Sequence, residues 1–342
     1  MNEQQNKAVP IYILSGFLGS GKTTLLKRLI QNFQHLNLKP AVIMNEIGDV
    51  NLDGLLVEEQ VPMSEMLGGC ICCSIRGDLG LEIANLIQSE SPDVIVVEST
   101  GIANPMEILD AVTETSLYMM LELKSVITVV DAAHLFDLYK EQKGKTYRLM
   151  QEQIRCADVL ILNKTDRVSS EQIDELKQTI SRWNPFALLQ PAVQCDVDLG
   201  LLLTNDRTQH TVAVSQEQEH PDLHHHEHHE HYEHDHHHTD HDHVHHHVSH
   251  DHVMVYTHYF TGPIDSTAFE AFIAELPREV YRGKGILSFT DTSSRFLFQY
   301  AYRELDFIKI DPQGQVQDVA VFIGEHFDKT VLIDRLKALE LN

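Results

Sequence analysis

Eight residues near the amino terminus, Gly16-Phe17-Leu18-Gly19-Ser20-Gly21-Lys22-Thr23, constrain this chain more than any other stretch. They follow the apolar run IYIL and open a segment in which Leu25, Leu26, Leu29, Ile30 and Phe33 recur on one helical face. A strand that enters a glycine-rich turn and leaves as a helix turns backbone N–H groups inward, at the positive end of the helix, where phosphate oxygens are held. In the pattern G-x-x-x-x-G-K-[ST] the lysine, here Lys22, reaches the β- and γ-phosphates and the hydroxyl, here Thr23, holds Mg²⁺. An ordinary glycine turn is the alternative, and the flanking strand and helix argue against it.

Downstream, short β-branched runs (AVIM, DVIVVES, SVITVVDA, DVLILNKTD) alternate with segments of helical period. Near-continuous apolar strands separated by helices indicate a parallel sheet covered on both faces. Ser170 reads as the N-cap of a helix over EQIDELKQTI. This α/β unit is expected to occupy residues 1–205. From His220 to His252 inclusive lie 18 of the 23 histidines, mixed with Asp and Glu and almost no apolar residues, so residues 206–252 read as a disordered linker that cannot bury a core. VMVYTHYF, AFEAFIAEL, GILSFTD, RFLFQYAY, DVAVFIG and a terminal helical segment then describe a smaller α+β domain over 253–342. Two domains suit a chain of 342 residues.

A phosphate loop does not name its base. Asn163-Lys164-Thr165-Asp166 does, because a carboxylate at the end of DVLIL, the fifth strand by this reading, can accept the N1 and N2 protons of guanine, which adenine cannot offer. Glu98-Ser99-Thr100-Gly101 ends DVIVV, where a carboxylate contacts Mg²⁺ through water and a glycine senses the γ-phosphate. Lys22, Thr23, Glu98 and Gly101 are therefore the expected catalytic set, with GTP and Mg²⁺ as ligands. Asp131, at the end of SVITVVD, reads either as a second acid or as a simple cap.

Of five cysteines, Cys70, Cys72 and Cys73 fall within four positions, preceded by Gly68 and Gly69. Thiolates are soft ligands, and three so close can share one Zn²⁺ or Cu(I) at about 2.3 Å per Zn–S bond. The segment lies between the second and third strand readings, the part of the chain that switch GTPases move. A fourth ligand could come from Glu46 or Asp49 in the acidic loop before it, from a client group, or from water. Three inert core cysteines are the other reading of the cluster.

GFLGSGKTTLL, NEIGDVNLDG, GGCICC, ESTGIANP, VVDA and NKTD, in this order and spacing, resemble the CobW-like GTPases, including their metallochaperone branch of zinc, cobalt and nickel handlers. YRGKGILSF resembles that family's second domain, so the likeness covers nearly the whole chain apart from the histidine segment. The resemblance implies an α/β P-loop GTPase domain followed by a smaller α+β domain. It implies Gly16, Gly19, Ser20, Gly21, Lys22, Thr23 and Thr24 as the phosphate cradle, Asn163, Lys164 and Asp166 as the guanine site, and Cys70, Cys72 and Cys73 as metal ligands. It also implies a docking role for the second domain, with Arg282 and Lys284 at a partner surface.

The histidine tract offers imidazoles that are mostly neutral above a pKa of about 6.5 and able to bind Zn²⁺, Ni²⁺ or Co²⁺ loosely, or else it only solvates the linker. A net charge of −25 argues against nucleic acid and anionic membranes as partners. MNEQQNKAVP lacks the basic start and apolar stretch of a secretory signal, and no apolar run of about 18 residues follows, so a cytoplasmic protein is expected. The combined expectation is a slow GTPase that delivers zinc to a client metalloprotein, with homo-oligomerisation left open. The alternatives are a histidine-rich zinc store with a regulatory GTPase domain, and a cobalt or nickel chaperone for cobalamin or metalloenzyme maturation.

Overall fold

The computed structural model describes residues 8–44, 61–65, 75–142, 144–203, 253–301, 303–312 and 316–341. The first domain is a seven-stranded, wholly parallel sheet in the order β3-β2-β4-β1-β5-β6-β7. Its strands are β1 (Val9–Ser15), β2 (Pro40–Met44), β3 (Met63–Glu65), β4 (Val94–Glu98), β5 (Leu121–Asp131), β6 (Val159–Asn163) and β7 (Leu188–Pro191). The helices are α1 (Lys22–His35), α2 (Ile75–Glu90), α3 (Pro105–Thr115), α4 (Ala132–Glu141), α5 (Lys145–Arg155), α6 (Ser170–Trp183) and the short α7 (Leu199–Leu203).

Alternation along the strands decides which helix covers which face. On β1, Ile11 and Ile13 join a cluster with Leu79 and Ile83 of α2 and Ile108 and Val112 of α3. Tyr12 and Leu14 point the other way, to Leu25, Leu26, Leu29, Ile30 and Phe33, the five residues that the helical period places on one face of α1. Farther along, Leu160 and Leu162 of β6 pack with Leu135, Ile154, Leu176 and Ile180 of α4, α5 and α6. α6 begins one residue earlier than the sequence reading implies. Ser169 is its N-cap, in a capping box with Gln172, and Ser170 is the first helical residue.

The second domain is an antiparallel sheet, β11-β10-β9-β12-β8, built from β8 (Val253–Tyr259), β9 (Val280–Ser288), β10 (Arg295–Ala301), β11 (Glu304–Ile310) and β12 (Val319–Glu325). Helices α8 (Ser266–Ala274) and α9 (Lys329–Leu339) cover one face through Phe269, Phe272, Leu332 and Leu336 against Phe298 and Phe322. On the other face Val253, Val255, Ile286, Val319, Val321 and Ile323 belong to the same hydrophobic cluster as α2 and α3. The two domains therefore share a core.

Polar contacts fix that junction. The Tyr259 hydroxyl accepts the Leu121 N–H at 2.7 Å and donates to the Leu121 carbonyl at 2.8 Å, with the Met119 carbonyl at 3.0 Å. Burial pushes its phenol well above the ordinary range. Arg282 on β9 pairs with Asp110 on α3 at 2.7 Å. This placement corrects the expectation for Arg282: its guanidinium faces the nucleotide domain, because it lies across from Ile323 on the face that meets α3. Asp110 is nearly buried, so loss of its cation is costly. Arg282→Ala is expected to destabilise the chain by about 3 kcal/mol. Denaturant unfolding checks this, and replacing both charges together (Arg282→Met with Asp110→Leu) should recover most of the loss.

Candidate functional site

The parallel strands end together, and their C-terminal ends carry the residues singled out by sequence. β1 delivers Ser15 into a loop in which Gly16, Gly19 and Gly21 all have positive φ, at 135°, 72° and 116°. Only glycine takes such angles without strain. Side chains are also excluded by space: a Cβ on Gly16 would lie 2.2 Å from the Val129 carbonyl oxygen, and one on Gly21 would lie 2.5 Å from Asn163 Nδ2.

α1 then starts at Lys22 with no side-chain cap and no acid in its first turn. Its first N–H groups and its positive dipole end are directed at the loop's concavity. Ser15 Oγ and Ser20 Oγ are buried and find no hydrogen-bond partner among the described residues. Buried hydroxyls of that kind suit a ligand rich in acceptor oxygens. The lining therefore fits a polyphosphate. Thr23 is partly buried at the start of α1, and Thr24 is exposed.

Three successive carbonyls of this loop are held from behind. Gly19 accepts the Lys164 ammonium at 2.6 Å, Ser20 accepts Asn163 Nδ2 at 2.8 Å, and Gly21 is approached by the Cys195 thiol at 3.4 Å. These three carbonyls are thereby held away from the ligand side, while the Ser20 N–H closes the loop on the Phe17 carbonyl at 3.2 Å. Asn163 is buried at the end of β6, and its Oδ1 accepts the Cys195 N–H at 2.9 Å. Its amide thus ties the phosphate loop to the loop after β7.

Asp166 lies in a 3-10 turn, Thr165–Arg167, and is exposed. Thr165 anchors the turn, donating both its N–H, at 3.1 Å, and its hydroxyl, at 3.0 Å, to the Ala192 carbonyl. The turn follows the sixth strand, because the short β3 precedes β4 and is invisible to the sequence reading.

Glu98, 1% exposed, ends β4 beside Leu14 and Met44. The next residue, Ser99, donates its N–H to the Leu14 carbonyl at 2.9 Å. Gly101 sits against the phosphate loop, where a Cβ would come within 2.5 Å of the Leu18 nitrogen, and its carbonyl accepts Gln153 Nε2 at 3.2 Å. Lys22, Thr23, Glu98, Gly101, Asn163, Lys164 and Asp166 thus share one end of the sheet. A carboxylate beside a phosphate-binding loop can hold Mg²⁺ through water.

The sequence reading missed Cys195. It is buried, with φ 53° next to Gln194 at φ 52°, and burial pushes its thiol up to about 11. Cys156 is likewise buried and pushed up to about 12. Both behave as small core residues, unlike a thiolate ligand. Cys70, Cys72, Cys73, Glu46 and Asp49, the expected metal ligands, lie outside the described residues, as does the histidine tract. Among the described residues no group of three or more His, Cys, Asp or Glu comes together to hold a metal ion, and no helix is long and apolar enough to cross a membrane.

Comparison with known proteins identifies the two domains. Residues 10–190 match the CobW/HypB/UreG nucleotide-binding domain, and residues 254–340 match the cobalamin synthesis protein cobW C-terminal domain. The chain is 33% identical over 231 residues to the zinc-regulated GTPase metalloprotein activator 1 of Dictyostelium discoideum, covering 57% of this chain and 48% of that protein. It is 32% identical over 172 residues to the zinc chaperone YeiR of Escherichia coli K12, covering 50% of each. The chain thus spans about half the length of these curated relatives. The crystal structure of Zn(II)-bound YjiA GTPase from E. coli aligns over 99% of both chains at 23% identity with a TM-score of 0.46. With its nucleotide-binding domain and C-terminal domain both matched in order, the chain belongs to the CobW/HypB/UreG family.

Proposed function

We propose that this chain is a GTP-hydrolysing zinc metallochaperone, in which nucleotide state at the sheet's C-terminal end is coupled to zinc held by Cys70, Cys72 and Cys73 and passed to a client metalloprotein. The observation that carries the reading is the phosphate loop whose Gly19, Ser20 and Gly21 carbonyls are drawn back by Lys164, Asn163 and Cys195. It joins a phosphate cradle to a guanine-selective turn in one rigid piece. Relatives described as a zinc-regulated GTPase and as zinc chaperones support the choice of zinc as cargo.

In this reading Lys22 neutralises the β- and γ-phosphates, and Thr23 and Glu98 hold Mg²⁺, Glu98 through water. Bound Mg²⁺ would withdraw charge from the transferring phosphoryl group. Asp166 accepts the guanine N1 and N2 protons. Gly101 senses the γ-phosphate through its N–H, and the contact between Gly101 and Leu18 keeps that group close to the phosphate loop. Intrinsic hydrolysis is expected to be slow, on the order of 10⁻⁴ to 10⁻² s⁻¹, as in other P-loop GTPases without a partner.

A second reading, zinc storage, is favoured by one observation, the 18 histidines from His220 to His252 inclusive. Deleting residues 220–252 separates the two. Zinc titration followed by calorimetry should lose several weak sites and keep one tight site; loss of the tight site as well would favour storage.

Asp166→Asn is expected to weaken GTP roughly 100-fold and to raise affinity for xanthosine triphosphate, because leaving buried guanine donors without an acceptor costs on the order of 2–3 kcal/mol. Competition against a fluorescent nucleotide measures it, and unchanged GTP affinity would remove guanine from the assignment. Coupling has its own signature. Zinc bound at the cysteines must change GTP affinity by the same factor that GTP changes zinc affinity, about 5- to 150-fold. Equal GTP affinities with and without zinc would break the proposed linkage, and Cys72→Ala should abolish any difference.

A further inference from the structure

Asp131 uses its two carboxylate oxygens for different purposes. Oδ1 accepts the N–H groups of Ala133 at 3.1 Å and His134 at 3.2 Å, which caps α4. That much is the simple cap of the sequence reading. Oδ2 faces elsewhere and receives the Lys164 ammonium at 2.7 Å. The same ammonium donates to the Gly19 carbonyl at 2.6 Å. Parallel pairing of β5 with β6 sets Asp131 opposite Asn163, so the acid stands one residue from the lysine across the sheet.

A cap alone does not need that second contact. A lysine side chain loses much rotamer freedom when it is held in one geometry, and a hydrogen bond to one neutral carbonyl returns little of it. The carboxylate tips the balance. Asp131 and Lys164 are 13% and 23% exposed in their side chains, so water screens the pair less than it would a surface pair. Burial by itself would raise the Asp131 carboxyl, but the hydrogen bond from Lys164, the N–H groups of His134 and Ala133 and the lysine charge together hold it below the ordinary value. It is therefore charged under physiological conditions. Lys164 also takes a left-handed backbone, φ 60°, a conformation an ordinary side chain adopts only when its surroundings hold it there.

α4 touches the phosphate loop from the same side. The His134 ring, next to the capped turn, lies 5.2 Å from the Phe17 ring. Asp131 thus sits where three parts of the nucleotide site converge: the first turn of α4 against Phe17, the base-reading turn through Lys164, and the phosphate loop through Gly19.

We propose that Asp131 is a positioning residue for nucleotide binding, holding the Lys164 ammonium against the Gly19 carbonyl so that the base-reading turn and the phosphate loop stay locked and bound nucleotide is released slowly. The inference rests on the guanine-nucleotide reading given above. Its route is through Lys164, and the cap on α4 is separable from it.

The test is release of fluorescently labelled GDP from the full-length chain, chased with excess unlabelled GDP. Asp131→Asn keeps an oxygen to cap α4 but turns an amide toward Lys164. Asp131→Ser keeps a good cap and removes the carboxylate. Release should be about tenfold faster in both variants, the scale of losing a hydrogen bond between charged groups. The unfolding midpoint of the nucleotide-free protein is expected to fall in both variants, and by no more than it falls in Lys164→Met, which loses the same ion pair. In a Lys164→Met background, Asp131→Asn should add nothing further. Unchanged release in both variants overturns the proposal, as does a lowered unfolding midpoint with unchanged release, since the carboxylate would then be only a cap. Equal acceleration with and without Lys164 overturns the route. Failure of the unchanged chain to bind labelled GDP would remove the nucleotide reading itself, and the inference with it.

Discussion

The hydrogen bond from Asn163 to the Ser20 carbonyl organises the functional end of this molecule. It is fully buried and spans elements 143 residues apart in sequence, so it cannot form until β1 and β6 have taken their places on either side of β5. Once formed, it holds the Ser20 carbonyl away from the ligand side. The flanking bonds from Lys164 and Cys195 repeat the arrangement one residue to each side. Gly21 must be glycine because Asn163 Nδ2 and Cys195 Sγ occupy the space where a side chain would stand. The glycine-rich motif is thus shaped from behind by polar groups as much as by its own freedom of φ.

The second domain is attached through the helix that follows the Gly101 loop. α3 begins at Pro105, behind an Asn104 cap, and carries Asp110 to Arg282. The loop after its far end supplies the carbonyls that Tyr259 binds. Because apolar residues of both sheets enter one cluster around α2 and α3, the antiparallel sheet completes the covering of those helices.

Much of this was legible in the sequence where periodicity and local motifs speak. The apolar face of α1, the long central strands and the phosphate loop are local patterns. The strands that escaped are short or lie at edges: β3 has three residues, β7 ends in proline, and β11 sits at the rim of its sheet with charged residues along it. The site itself divides in the same way. Lys22, Glu98 and Asp166 belong to recognisable motifs, whereas the roles of Cys195 and Asp131 depend on partners brought together only by strand order. Arg282 is the sharpest case, since a basic residue in a glycine-bearing strand looks exposed until the α3 face appears beneath it.

Gly101 shows how tightly two loops can limit each other's history. A single methyl group there would meet the Leu18 backbone nitrogen and two atoms of its side chain, all under 3 Å. Leu18 itself is half exposed, with open space beyond it. Sequence drift at this corner is therefore one-sided: the leucine can change size and character, while the glycine behind it has no smaller neighbour to exchange with and no larger one that fits.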